Sequence, residues 1–145
     1  MKKVLIVNAN YYNDITQSLV NTSTKILKKN KIKISIIDVP GVFEIPIAIQ
    51  KNIKKFDAFI ALGCVIKGKT PHFDLICKSS FEAIQYISLC NNKPIGNGII
   101  TALNINQAKE RCGKIKSSPV TNSKWIPNSV SKTSLTLLIV LTTAA

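Results

Sequence analysis

The chain has 145 residues and a formal net charge of +13, from 20 Lys and Arg against 7 Asp and Glu. A hydrophobic fraction of 46 % excludes a largely disordered chain, and the length suits a single domain, 1–145. No apolar run approaches the roughly 20 residues of a spanning helix, which excludes an integral membrane protein of that kind.

In chain order, Val4–Val7 is a short, continuous β-branched run, the mark of a strand buried on both faces. Asn13 and Asp14 are helix N-cap types. After them Ile15, Leu19, Thr22, Ile26 and Leu27 keep helical spacing, and Lys28–Lys31 place cations at the helix's negative end. Ile32–Val39 predicts a second strand. Pro40-Gly41 turns the chain into a helix whose inward face carries Ile45, Ala48, Ile49 and Ile53, with Pro46 in the first turn. Asp57–Ile66 predicts a third buried strand.

Lys67-Gly68-Lys69 is then a loop. Thr70 is placed to cap a long helix and Pro71 to open it. Phe73, Ile76, Cys77, Ser80, Phe81, Ile84 and Ile87 form its apolar stripe. Pro94–Thr101 predicts a fourth strand, and Ile105–Arg111 a short helix ended by Gly113. Alternating strands and helices imply a parallel sheet covered on both faces, with ligands beyond the carboxyl ends of its strands. From Lys114 to Ser134 the pattern breaks into Lys, Ser, Thr, Asn and Pro, and no acid follows Glu110.

The charge does not read as a nucleic-acid signal. Of the cations 19 are Lys, with 23 Ile and 13 Asn beside them, the drift that A/T-rich codons produce. A base-reading protein uses Arg for bidentate contacts, and Arg111 is the sole Arg. No metal site is expected either: Cys64, Cys77, Cys90 and Cys112 lack CxxC spacing, and His72 is the only His. No secretory leader follows Lys2 and Lys3, and unpaired thiols fit a reducing, cytoplasmic compartment.

Chemistry concentrates after the predicted strands. In Gly68–Asp74 (GKTPHFD) a His enters the first turn of a helix beside a Lys-Gly-Lys loop. Helix N-termini bind anions, so a His there can shuttle a proton beside a phosphorylated substrate. It can equally be a surface residue bonded to the helix end. Glu44 can accept polyol hydroxyls, or simply complement a helix start. Tyr11 and Tyr12 can stack on a planar ring, or cover the sheet end. Arg111 suits planar, bidentate phosphate recognition, whereas a plain helix-terminal cation would work equally well as Lys.

Together, Val39–Pro46 (VPGVFEIP), Ala61–Asp74 (ALGCVIKGKTPHFD), Pro94–Gly113 (PIGNGIITALNINQAKERCG) and, more weakly, Asn10–Thr16 (NYYNDIT) resemble the lumazine synthases of riboflavin biosynthesis. The resemblance implies a flavodoxin-like three-layer αβα sandwich with a four-stranded parallel sheet. It implies no cofactor and no metal. It implies a homopentamer, packed in some members into a 60-subunit shell, with riboflavin synthase as a further partner.

The implied reaction joins 5-amino-6-(D-ribitylamino)uracil to 3,4-dihydroxy-2-butanone 4-phosphate, releasing phosphate and water. Matched by motif, Tyr11 stands where the family stacks an aromatic on the pyrimidine. Val42, Phe43 and Glu44 line the pyrimidine and ribityl pocket, and Val65 and Ile66 meet the pyrimidine through backbone groups. Lys69 and Thr70 bind phosphate, His72 is the general acid/base, and Arg111 reaches the phosphate of a neighbouring subunit's site.

The chain departs from the family pattern in places. It starts at the first central strand, without the family's usual N-terminal extension. Asn97 replaces a pocket-closing aromatic, and Lys124 is the match for a second phosphate cation within a divergent tail, 114–145. The departures leave a second reading, a folded but catalytically impaired relative with a frameshifted or degenerate C-terminus; the third, a basic nucleic-acid-binding domain, rests on the +13 charge alone and is the weakest.

Overall fold

A computed structural model describes residues 2–114 of the chain. Four strands, β1 (Lys3–Ala9), β2 (Lys33–Val39), β3 (Ala58–Ile66) and β4 (Ile95–Ala102), alternate with four helices. These are α1 (Asn13–Lys29), α2 (Ile45–Asn52), α3 (His72–Asn91) and α4 (Ile105–Lys114). The strands form one all-parallel sheet in the order β2-β1-β3-β4.

The apolar runs form strands because both faces of the sheet are covered. From Val4 to Ala9 every residue of β1 is buried. On one face Val4, Ile6, Ile60 and Leu62 pack with Ile15, Leu19 and Leu27 of α1 and Ala108 of α4. On the other, Leu5, Val7, Phe59 and Ala61 pack with Ile45 and Ile49 of α2 and Ile84 and Ile87 of α3. This is the flavodoxin-like three-layer αβα sandwich. Each of these buried Val, Leu, Ile and Phe side chains contributes about 1.5–3 kcal/mol of transfer free energy.

Parallel strands send every crossover helix back toward the amino edge of the sheet. Lys28 and Lys29 end α1 and Lys51 lies in the last turn of α2, while Asp14 and Asp74 lie in the first turns of α1 and α3. Cations thus sit at the negative helix ends and acids at the positive ones.

Three terminal details differ from the sequence expectation. Tyr12, not Asn13 or Asp14, holds the cap position of α1, and no side chain caps it. The reason is a one-turn 3-10 helix, Asn10–Tyr12, that already winds the chain into α1. Thr70 does not cap α3. Pro71 holds that position at φ −63°, where its ring has already set a helical φ, and its carbonyl accepts the Asp74 N–H at 3.1 Å. Gly113 does not end α4, which continues to Lys114.

Candidate active site

The sheet order changes direction between β1 and β3: from β1 the chain crosses to β2 on one side, then returns to β3 on the other. In open parallel sheets this switch point leaves a crevice at the carboxyl ends. A cleft of about 620 Å³ opens there.

Its walls come from four chain segments. Tyr11 and Tyr12 follow β1, with ring centroids 5.0 Å apart in an edge-to-face pair. Tyr11 is 76 % exposed and its ring is open to a ligand, whereas Tyr12 is half-buried and packs on the core. Gly41 and the one-turn 3-10 helix Val42–Glu44 follow β2. Val42 is buried, Phe43 is exposed, and the Glu44 carboxylate folds back over the Gly41 α-carbon. Cys64, Val65 and Ile66 form the end of β3. His72 and Ile76 come from the first turns of α3. An exposed imidazole therefore stands at a helix N-terminus, across an apolar slot from a carboxylate and an exposed aromatic ring.

Burial raises the Cys64 thiol to about 11, with Cys112 adding to the effect. That keeps the thiol neutral and removes it as a nucleophile. Burial also raises the Tyr12 phenol, with Tyr11 and Cys64 contributing. The polar work of this cleft therefore falls to His72, Glu44 and the backbone.

The α3 N-terminus divides this cleft from another. His72 lines the first, and its neighbour Phe73 lines a cleft of about 560 Å³ together with Thr101, Leu103, Gln107, Glu110 and Arg111. The Lys67 ammonium sits 5.9 Å from the Phe73 ring centroid. Lys69 and Thr70 lie exposed on the loop between β3 and α3 and line neither cleft.

The segments that build these walls occur together in one known family. The model of that family, 6,7-dimethyl-8-ribityllumazine synthase, matches residues 1–125. The chain belongs to the lumazine synthase family.

Curated relatives of that name share 45 % identity over 118 residues in Buchnera aphidicola and 39 % over 112 residues in Bartonella bacilliformis. A third, from Campylobacter jejuni, shares 40 % over 116 residues. The matches cover 77 %, 74 % and 77 % of this chain and 74 %, 74 % and 75 % of the respective relatives.

Within one copy the structure brings Tyr11, Val42, Phe43, Glu44, Val65, Ile66 and His72 to one cleft and leaves Arg111 in the other. Asn97 lines neither. It sits half-buried in β4 opposite Ala61, and its side-chain oxygen accepts the Ile99 N–H at 3.1 Å. Lys124 lies outside the described residues. Among the described residues no helix is long and apolar enough to cross a membrane. Sequence reasoning assigned no wall role to Ile76 or Cys64. Ile76 read as core stripe, and nothing in its helical spacing marks the turn where a core stripe reaches the cleft.

Proposed function

We propose that this chain is a cytoplasmic, cofactor-independent 6,7-dimethyl-8-ribityllumazine synthase of the EC 2.5.1.78 type. It condenses 5-amino-6-(D-ribitylamino)uracil with 3,4-dihydroxy-2-butanone 4-phosphate. The observation that carries the reading is the cleft at the β1–β3 switch point, where His72 faces the Tyr11, Phe43 and Glu44 wall.

In this reading Tyr11 stacks on the pyrimidine, Val42 and Phe43 flank it, and Glu44 accepts ribityl hydroxyls. Backbone groups of Val65 and Ile66 meet the ring edge. Lys69, Thr70 and Arg111 hold the phosphate. The amine attacks the ketone, and loss of water leaves an imine. Holding the two reactants in register supplies much of the rate. His72 removes a proton from the carbon chain as the phosphate leaves, and the cations hold the departing charge. The elimination leaves an enol, which tautomerises to a new ketone, and the ribityl-bearing amine nitrogen closes on that carbonyl with loss of a second water.

Arg111 opens on a different cleft from His72 within one copy. This supports a site completed by Arg111 of a second copy, in a homopentamer. The exposure of Phe43, Ile47, Leu75, Tyr86 and Leu89 in the isolated chain supports the same assembly. Native mass measurement is expected to give five copies or a multiple of five. The activity is tested by mixing both substrates with the purified chain and following lumazine absorbance. Product at the uncatalysed rate overturns the reading.

A further inference from the structure

We propose that Gly63 is a positioning residue for the pyrimidine-binding wall, its missing side chain being the notch that sets how deep the Val42–Glu44 turn sits. The proposal rests on the lumazine synthase reading of that wall.

The residues of β3 alternate between the two faces of the sheet. Phe59, Ala61 and Val65 face α2 and α3, and Gly63 shares their face. In the β1–β3 register Asn8 lies opposite Leu62, which brings Ala9 beside Gly63. Two of the smallest residues thus meet at one level of the sheet and leave a dent. Val42 fills it: a Cβ built on Gly63 would lie 2.6 Å from Val42 Cγ2, 3.2 Å from the Ala9 Cβ and 3.7 Å from Ile45 Cδ1.

The glycine is not there for its backbone. No glycine among the described residues has a positive φ, so an alanine at 63 meets no backbone penalty. What it meets is Val42. Carbon atoms pack at about 3.5–4.0 Å, so Val42 would have to retreat by about 1 Å. Val42 is 5 % exposed and β-branched, which leaves its side chain little rotamer freedom. The retreat therefore passes to the backbone of the turn and carries Phe43 and Glu44 with it. No atom of the Lys67–Pro71 loop is among the three nearest to the built Cβ, so the collision falls on the Val42 turn and not on the phosphate-binding loop.

The test compares Gly63→Ala, Val42→Ala and the double variant as purified full-length assemblies. Three quantities are read: the pyrimidine substrate's dissociation constant by calorimetry without the second substrate, amide exchange at residues 42–45, and the KM for the butanone phosphate. Misplacement of about 1 Å can cost up to ~100-fold, and Gly63→Ala is expected to weaken pyrimidine binding at least about tenfold. Exchange in the turn should rise, while the KM for the butanone phosphate stays within about twofold.

Val42→Ala removes the colliding methyl. The double variant should therefore bind the pyrimidine as Val42→Ala does, a coupling that a general loss of stability would not produce. Unchanged pyrimidine binding in Gly63→Ala, equal weakening of both substrates, or a double variant that binds the pyrimidine more weakly than Val42→Ala overturns the proposal. If Gly63→Ala does not fold, the double variant must fold with a protected turn, and its failure overturns the proposal too. A wild-type chain that binds the pyrimidine but yields no lumazine overturns the enzyme reading alone. Absence of pyrimidine binding by the wild type overturns both.

Discussion

The Cys112 thiol donates to the Ile15 carbonyl at 3.3 Å, joining the last described helix to the first across 97 residues of chain. Both residues are buried in the core layer between α1, α4 and the sheet. The contact seats α4 against α1, and Arg111 is the residue immediately before Cys112. A packing contact made by a small sulfur side chain thus fixes the height at which the only Arg of the chain is presented.

Replacing that sulfur tests the arrangement. Cys112→Ala deletes a weak donor and leaves a small void, together about 1–2 kcal/mol. Thermal unfolding should show a transition lowered by several degrees. The KM for the butanone phosphate should rise more than that for the pyrimidine, because the displaced element carries Arg111. An unchanged melting temperature would show that α4 is held by other contacts.

His72→Gln keeps a polar side chain at the start of α3 but cannot accept and return a proton at neutral pH. Loss of a general acid/base costs about 10²–10⁴-fold. Steady-state kinetics should show kcat down by about a hundredfold or more, with both KM values changed far less. A variant as fast as wild type would make His72 a surface residue bonded to its helix end.

Arg111→Lys keeps the charge and loses the planar fork. Binding of the butanone phosphate should weaken by about tenfold, the loss of one good charge-assisted hydrogen bond. Pyrimidine binding should move little, and equal loss for both substrates would contradict the phosphate role.

The thiols carry a pH prediction. Cys64 is raised to about 11 from a reference near 9 by burial, then by Cys112. The folded state therefore holds this proton more tightly than the unfolded state does. Its contribution to stability is complete below about pH 9 and is lost as pH rises toward 11. Melting temperature followed across that window should fall less in Cys64→Ala than in wild type. At pH 8 an alkylating reagent should modify the exposed Cys90 well before the buried Cys64. Equal labelling rates would contradict the burial of Cys64.

Much of this molecule was legible beforehand. The apolar runs at Val4–Val7 and Asp57–Ile66 could only be strands covered on both faces, and α1 and α3 carried their apolar stripes openly. The cleft residues were found by type and position: a His in a helix first turn, a Glu after a Pro-Gly turn, aromatics after a strand. The helix starts are not legible in the same way, because their capping does not come from side chains. At α1 a 3-10 turn performs that task, and at α3 Pro71 does, and neither leaves a capping oxygen in the sequence. The role of Gly63 is not legible for a related reason. A glycine within an apolar strand reads as a gap, and only the arrival of Val42 from residues 21 positions earlier shows what fills it.

Composition, period and motif by themselves determined a parallel α/β domain and its family, and they single out the side chains proposed to carry its chemistry. These properties are local, set by a strand's apolar run, a helix's stripe or a residue's functional group. The tertiary structure alone decided how those groups are apportioned. It placed Tyr11, Glu44 and His72 around one cleft, turned Arg111 into another and sank Val42 into the space beside Gly63. Each of these outcomes depends on strand order and on how closely two distant segments approach, and chain order does not record such distances.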